Sequence, residues 1–418
     1  MVPMWKLAVM DSQLAVMESE ITELSGKKVC IVVENLPVPF DRRVWQEATT
    51  LKEAGMLVSV ISPKTKSYNL SYELIEGIHV YRHPLPTEAD GALGYLLEYS
   101  AAVFWQLYLS FKILFKHGFD VIHGCNPPDL VFILAWIYKP FGKKYIFDHH
   151  DINPELFEAK FNKKGAFYRL ICLMEKLTFK SADVCIATNE SYKKIAIERG
   201  GKNPDEVHVV RSGPNLDRLR IKGSVIRYKY GREFMVGYVG VMGKQEGVDG
   251  LLEAVSYILN VRERKDIHFC IVGSGTEIDF LQDLASSLGV SEYVSFEGRV
   301  SDEVLIDILN TADVCVNPDV VNDMNSKSTM NKIMEYMALS KPIVQFDMKE
   351  GRYSALESSL YAKSNDYKDF ADKILHLLDN SSMRKTMGEF GRSRVFQKLS
   401  WEHEAPNLID AYKHVLRK

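Results

Sequence analysis

Two hydrophobic tempos alternate along the chain. Short, unbroken apolar runs such as Val29-Cys30-Ile31-Val32-Val33 and Val58-Ser59-Val60-Ile61 are separated by stretches with apolar residues three and four apart, as Val44, Ala48 and Leu51 are between Asp41 and Gly55. Unbroken runs suit strands buried on both faces of a parallel sheet, and the wider spacing suits helices that cover them. Further strand-like runs stand at 79–81, 121–123, 145–147, 184–187 and 207–210. A second series begins at Met235-Val236-Gly237-Tyr238-Val239 and continues at 268–272, 294–296, 314–316 and 343–346. Strands alternating with helices predict a doubly wound α/β fold. Two such series predict two Rossmann-like domains facing across a cleft.

The pattern sets the expected boundaries. Residues 1–26 form an N-terminal extension outside the fold, and 27–217 the first domain. Residues 218–232, with Arg218, Arg220, Lys222, Arg227, Lys229 and Arg232 and little periodicity, read as a solvated linker. Residues 233–395 form the second domain. Residues 396–418 carry a terminal amphipathic helix with Trp401, Ala405, Leu408, Ile409, Tyr412 and Leu416 at helical spacing.

The segment 93–115 stands apart. Leu93, Leu97, Phe104, Leu107, Tyr108, Phe111 and Leu114 share one helical face, with more aromatics around it and Lys112 and Lys116 at its end. Burial explains so wide an apolar circumference, and so does peripheral contact with a membrane. The charge-free run between Glu98 and Lys112 is too short to span a bilayer.

Composition narrows the function classes. A chain of 418 residues with 46% hydrophobic and 26% charged residues is globular and too long for one ordinary domain. A net charge of −3 argues against nucleic acid as a main partner. Cys30, Cys125, Cys172, Cys185, Cys270 and Cys315 are scattered without a CxxC pair, which reads as buried thiols in a reducing compartment. Acids at Asp11, Glu18 and Glu20 make the N-terminus a poor signal peptide, so the expected place is cytoplasmic, at most peripheral at the inner face of the membrane.

Parallel sheets bind ligands at the carboxyl ends of their strands. The segment Asn322–Pro342 is the richest of these places. Ser328 or Thr329 is placed to cap a helix whose start suits phosphate, and Glu335 is placed to accept from ribose hydroxyls. Taken alone, Glu335 is read equally well as part of an ordinary buried amphipathic helix. Gly273-Ser274-Gly275 lacks the third glycine of a dinucleotide fingerprint, so a tight turn is its plainer role. His149, His150 and Asp151 form a titratable cluster in which one histidine is expected buried and the other facing ligand. Arg42 and Arg43 are expected at a helix start, where a guanidinium fork suits phosphate or carboxylate. No DxD pair occurs and no third metal ligand is evident, so neither a metal nor another cofactor is expected.

Four segments now carry a family likeness. They are VCIVVENLPVPFDRRVWQEATTLKEAG, FDHHDINPE, VGYVGVMGKQEGVDGLLEAV and STMNKIMEYMALSKPIV. In order and spacing the chain from about Lys27 onward resembles the family 4 glycosyltransferases of GT-B fold. The resemblance implies a retaining transferase that uses a UDP- or GDP-linked sugar. It implies an acceptor, a glycan or polyprenyl-linked glycan, on the first domain, the donor on the second, and a terminal helix crossing back to the first. It puts Glu335 at the second glutamate of the family's E-x7-E signature, which holds ribose. The first glutamate falls at Lys327, and the diphosphate-gripping Arg and Lys fall at Val241 and Glu246. Lys244 is the nearest cation to those positions, and Lys244 or Lys327, with the Ser328-Thr329 helix start, is expected to grip the diphosphate, Lys327 standing with the histidines of the FDHHDINPE segment among the expected catalytic residues. The resemblance puts His150, with His149 as the alternative, near the donor sugar. Gly240, Gly273, Gly275, Arg299, Asn325, Ser328 and Thr329 join Glu335 and Lys244 as donor contacts. Asn35, Arg42, Arg43, Asn126 and Asp151 are expected on the acceptor or phosphate side. The departures at Lys327, Val241 and Glu246 leave a non-catalytic partner subunit as a rival, beside a sugar-nucleotide epimerase of the same fold.

Overall fold

A computed structural model describes residues 23–84, 91–161 and 164–418. The chain divides into two compact units. The first takes in the chain to Arg211, apart from a short piece at 159–162, together with Glu404–Lys418; the second takes in 212–403.

The first unit is built on an eight-stranded sheet. Its strands are β1 (Lys28–Val32), β2 (Leu57–Pro63), β3 (Tyr72–Ile75), β4 (Ile78–His83), β5 (Val121–Cys125), β6 (Lys144–His149), β7 (Val184–Ala187) and β8 (Val207–Val209), in the order β3-β4-β2-β1-β5-β6-β7-β8. All pairings are parallel except β3 with β4. β1 sits between β2 and β5, with Val29 opposite Val58 on one side and Val121 on the other. The strand order reverses there, so the loops after β1 and β5 diverge and leave a crevice.

The second unit holds six parallel strands, β9 (Phe234–Val239), β10 (Ile267–Val272), β11 (Val294–Gly298), β12 (Val314–Asn317), β13 (Ile343–Phe346) and β14 (Ser359–Ala362), in the order β11-β10-β9-β12-β13-β14. Alternate residues serve opposite faces, as strand geometry requires. Phe269 and Ile271 join one apolar core with Val314 and Val316, whereas Cys270, Val272 and Cys315 join another with Ile333 and Met337. The order reverses between β9 and β12.

Three boundary expectations change. Residues 218–232 are no solvated linker: Leu219 and Tyr228 are buried in the second unit's core, and Lys229 pairs with Asp313 at 2.9 Å. Leu24 is fully buried and Gly26 N–H donates to Gly55 O at 3.0 Å, so the first unit's fold begins before residue 27. Residues 1–22 lie outside the described part. The terminal helix, Trp401–Arg417, belongs to the first unit from Glu404 onward, where Leu408, Ala411, Tyr412 and Val415 are fully buried. Among the described residues no helix is long and apolar enough to cross a membrane.

Candidate functional site

The carboxyl edge of the second unit's sheet is assembled from four loops. β9 runs into Gly240-Val241-Met242-Gly243, and a one-turn helix at Lys244–Glu246 leads to Gly247 and the helix Val248–Asn260. This loop lies flat against the one after β10. Gly240 N–H donates to Val272 O at 3.1 Å, Met242 N–H to Ser274 O at 3.1 Å and Glu277 N–H to Met242 O at 3.0 Å. A Cβ on Gly273 would stand 1.8 Å from Gly240 O, and one on Gly275 2.3 Å from Met242 O. Gly273 and Gly275 are therefore glycines because the two loops touch backbone to backbone.

The Asn322–Pro342 segment differs from expectation. It forms two helices, Asp323–Lys327 and Asn331–Ala338. Neither Ser328 nor Thr329 caps the second, whose N-cap is Met330 without a side-chain bond. Ser328 ends the first helix instead, and its hydroxyl donates to Met324 O at 2.9 Å. Asn322 caps that first helix by accepting from Asn325 N–H at 2.8 Å. Asn325 is buried, and its amide donates to Gln245 O at 2.9 Å and Val320 O at 2.8 Å. It braces the Gly240–Gly247 loop, which spends both amide protons on the protein. Lys327 pairs with Asp323 Oδ2 at 2.5 Å. Lys244 and Arg299 are exposed beside their loops, and Thr329 is half-buried.

Two residues that sequence reasoning missed enter here. Lys332, in the first turn of Asn331–Ala338, holds Nζ 2.7 Å from Oδ1 of buried Asp319 and 4.9 Å from the centre of the Tyr238 ring. The same Nζ lies 3.4 Å from the point where a Cβ on Gly240 would stand. A cation thus sits at the glycine loop from which Val241 and Glu246 withheld one. Burial raises the Asp319 carboxyl's pKa, and Lys332 opposes that shift. Burial raises the pKa of Glu246 too, with the Asp319 charge adding to it and Lys332 opposing. Arg218 is the other. It came from the supposed linker, and it donates a short hydrogen bond to Glu335 Oε1 while lying 3.5 Å from Asp302. Glu335 itself is only slightly exposed, one turn along from Lys332.

The first unit gathers a second cluster around the switch between β1 and β5. Arg43 is buried, contrary to the expected phosphate fork. Its Nη2 lies 2.9 Å from Asp148 Oδ1 and 3.1 Å from Glu47 Oε1, and its Nη1 donates to Val210 O at 2.9 Å. His123 bridges Tyr412 Oη at 2.8 Å and Asp148 Oδ2 at 3.3 Å, which fastens the terminal helix to β5 and β6. Burial alone would raise the Asp148 pKa, but the Arg43 charge, with His150 and His123, holds it well below the carboxylate range. Burial and then the Asp148 charge push Glu47 well above it. Ligand atoms of Glu47, Cys125, Asp148 and His150 lie within 4.8 Å of one another, close enough for an ion, where the sequence showed no third ligand; the Arg43 guanidinium already contacts both carboxyl groups there.

His149 and His150 part company. His149 is fully buried among Phe147, Phe179 and Tyr192, and burial pushes its pKa down to about 3. Both its ring nitrogens are buried, so it is the enclosed histidine of the expected pair. His150 keeps some exposure, with Nε2 2.5 Å from Asp148 Oδ2. Its backbone N–H donates to Asn126 Oδ1 at 2.7 Å, and the Asn126 amide donates to Asp129 Oδ1 at 3.0 Å and Asp151 O at 2.7 Å. Asn126 is therefore a buried brace for the His150–Asp151 turn. Arg42 and Asn35 are exposed, and Asp151 is half-buried.

Two family models match this chain. Residues 41–218 match Glycosyltransferase Family 4, and 233–380 match Glycosyl transferases group 1. The chain belongs to the family 4 glycosyltransferases, and its fold is GT-B. An uncharacterised glycosyltransferase of Methanocaldococcus jannaschii is 27% identical over 389 residues, covering 88% of this chain and 92% of the relative. The capsular polysaccharide biosynthesis glycosyltransferase CapM of Staphylococcus aureus is 26% identical over 266 residues, 61% of this chain and 68% of CapM. Among solved structures, Anabaena HepE in complex with UDP-glucose aligns at a TM-score of 0.70 and 15% identity, covering 92% of this chain and 99% of HepE.

Proposed function

We propose that this glycosyltransferase moves a hexose from a uridine-diphosphate sugar to a glycan or lipid-linked glycan, with retention, in cell-surface polysaccharide biosynthesis. The observation that carries the reading is the grouping of Gly240, Lys332 and Glu335 at one edge of the second unit's sheet. A loop without a side chain at Gly240 lets a diphosphate approach the backbone, and Lys332 supplies the positive charge. Glu335, one turn on, offers a carboxylate to the ribose. HepE's complex with UDP-glucose supports uridine as the base, and CapM's name supports a polysaccharide product.

The chemistry follows from charge. As the bond from sugar to phosphate breaks, negative charge grows on the leaving diphosphate. A fixed ammonium and backbone dipoles already aimed there stabilise it without reorganisation. Lys332 is held for this by Asp319, so it costs little order on binding. A same-face displacement, in which the leaving phosphate takes the acceptor's hydroxyl proton, accounts for retention without a carboxylate nucleophile. In the first unit His150, oriented by Asp148 and Asn126, is the residue we assign to a donor-sugar hydroxyl. The first unit is assigned the acceptor.

The test is thermal stabilisation of the purified protein by a panel of nucleoside diphosphates and nucleotide sugars. A ligand that binds only the folded state raises Tm. A rise with UDP and a UDP-hexose is expected. No rise with any nucleotide at saturating concentration would overturn the donor assignment.

A further inference from the structure

The helix Gly91–Lys116 wears its amphipathicity inside out. Over its described side chains, the face turned to the first unit's core carries Ala102, Gln106, Leu109, Ser110 and Ile113. Two of these five are polar and bond inside the unit: Gln106 donates to Glu34 Oε2 at 2.6 Å, and the Ser110 hydroxyl meets Tyr138 Oη at 2.9 Å. The opposite face holds Phe104, Tyr108, Phe111 and Phe115 at spacings of four, three and four. They are 63%, 53%, 42% and 85% exposed. An ordinary surface helix has the reverse pattern.

The next element adds exposed aromatics of its own. The ring of Phe111 meets that of Tyr138 at 5.4 Å, at the end of the helix Phe132–Tyr138. That helix and the turn after it expose Trp136 and Phe141, at 53% and 75%. At a typical area for a large aromatic, the four rings of the helix stripe alone leave roughly 500 Å² in water, at the upper end of the apolar patches of ordinary monomers.

Along these two stretches of chain the charges have one sign. No acidic residue occurs between Glu98 and Asp120 or between Asp129 and Asp148, while Lys112, Lys116, Lys139, Lys143 and Lys144 do. The whole chain is at −3, so this bias is local. Lys139 is engaged by Asp183; Lys112 and Lys116, one on each of the last two turns of the helix, are exposed, with Nζ 5.7 Å from the Tyr81 ring centre and 4.9 Å from the Tyr72 ring centre. Exposed aromatics flanked by lysines match the interface of a bilayer, where rings sit at the headgroup level and ammonium groups meet lipid phosphates. A protein partner of ordinary composition would not select cations alone.

We propose that this face of the first unit docks on an anionic phospholipid surface, with Phe104, Tyr108, Phe111, Phe115, Trp136 and Phe141 entering the headgroup layer and Lys112 and Lys116 pairing with lipid phosphates. The docking holds the acceptor-binding unit at the surface where a lipid-linked glycan would reside. It deepens the acceptor part of the reading above, yet it is measured without donor or acceptor.

The experiment is flotation of the full-length protein with phosphatidylcholine vesicles, with and without phosphatidylglycerol. Flotation with the anionic vesicles only, falling as salt is added, is the expected result. Phe104→Ser, Phe111→Ser and Phe115→Ser combined should leave the protein at the bottom of the gradient. Lys112→Glu with Lys116→Glu should cut partition about tenfold or more, since one lysine near an anionic surface is worth about fivefold. Both variants touch exposed side chains, and the UDP-induced rise in Tm reports that each is folded. If the wild type stays down with both vesicles, the proposal is overturned while the donor reading stands. Equal capture by neutral vesicles would overturn the part played by the lysines. A dimer that the triple serine variant dissolves, without vesicle binding, would assign the face to a second copy and overturn the proposal.

Discussion

Lys332 and Asp319 form a largely buried ion pair, Nζ to Oδ1 2.7 Å, at the edge of the sheet where Gly240 leaves β9. The pair fixes a cation beside the Gly240-Val241-Met242-Gly243 turn, which has none of its own. Removing the ammonium should therefore weaken the hold on phosphate and leave the nucleoside untouched. Lys332→Met is expected to cost roughly 1.5–3 kcal/mol of UDP binding, about tenfold to hundredfold, as for other charge-assisted bonds. Uridine binding should be unchanged. Titration calorimetry with both ligands checks it; equal loss for both would mean a collapsed loop and not a lost charge.

Glu335 makes the complementary prediction. Its carboxylate already accepts from Arg218, so it is oriented before any ligand arrives. Glu335→Gln keeps shape and loses charge, and it should weaken UDP and uridine alike by about tenfold, near 1.4 kcal/mol. Inorganic pyrophosphate should bind as to the wild type. Undiminished uridine binding would remove Glu335 from the ribose.

Much of this was legible from the chain because buried parallel strands leave a plain signature. Val29–Val33 and Met235–Val239 are apolar without interruption since both faces of each sheet are covered. Neighbourhood across the sheet was not legible. β9 and β12 lie side by side although about 75 residues separate them, and that is what brings Asp319 and Lys332 to Gly240. A search along the glycine loop for its missing cation could not find one supplied from the helix that follows the neighbouring strand. Arg43 misled for another reason. A helix start rich in arginine looks exposed, yet two buried carboxylates, Glu47 and Asp148, required a partner. The segment 218–232 misled through charge. Six cations concealed Leu219 and Tyr228, whose spacing fits neither regular period.

The Arg43 network gives a stability prediction. Arg43→Met leaves Asp148 ionised and enclosed, with Glu47 beside it. Breaking a buried pair from one side costs about 3–5 kcal/mol. Urea unfolding should record a loss of that order, whereas Arg42→Met, at an exposed position, should stay within about 0.5 kcal/mol.

His149 makes stability depend on acid. Its folded pKa is pushed down to about 3 by burial, from 6.5 when exposed. Above 6.5 neither the folded nor the unfolded chain holds the proton. Below it only the unfolded chain does, so stability falls as pH drops from 6.5 toward 3, by up to about 1.4 kcal/mol per unit. His149→Phe, among Phe147, Phe179 and Tyr192, should remove this share of the slope. Unfolding measured at pH 7.5 and pH 5 should show a smaller difference for the variant than for the wild type; equal differences would mean that the imidazole is protonated in the fold.

Gly273 tests whether loop contact or mere flexibility explains the glycines. Its φ is +137°, and a methyl there would stand 1.8 Å from Gly240 O. Gly273→Ala must push the Gly240 loop away from β10, taking with it the backbone that Lys332 flanks. Gly289, at φ +69° with open space around it, is the control. Alanine at Gly289 should cost only the left-handed penalty of about 1–2 kcal/mol and leave UDP binding intact. Alanine at Gly273 should lower UDP affinity as much as Lys332→Met does, in protein that still unfolds cooperatively. Should the two variants lose stability equally and both bind UDP normally, the contact between the glycine loops would have no part in holding the diphosphate.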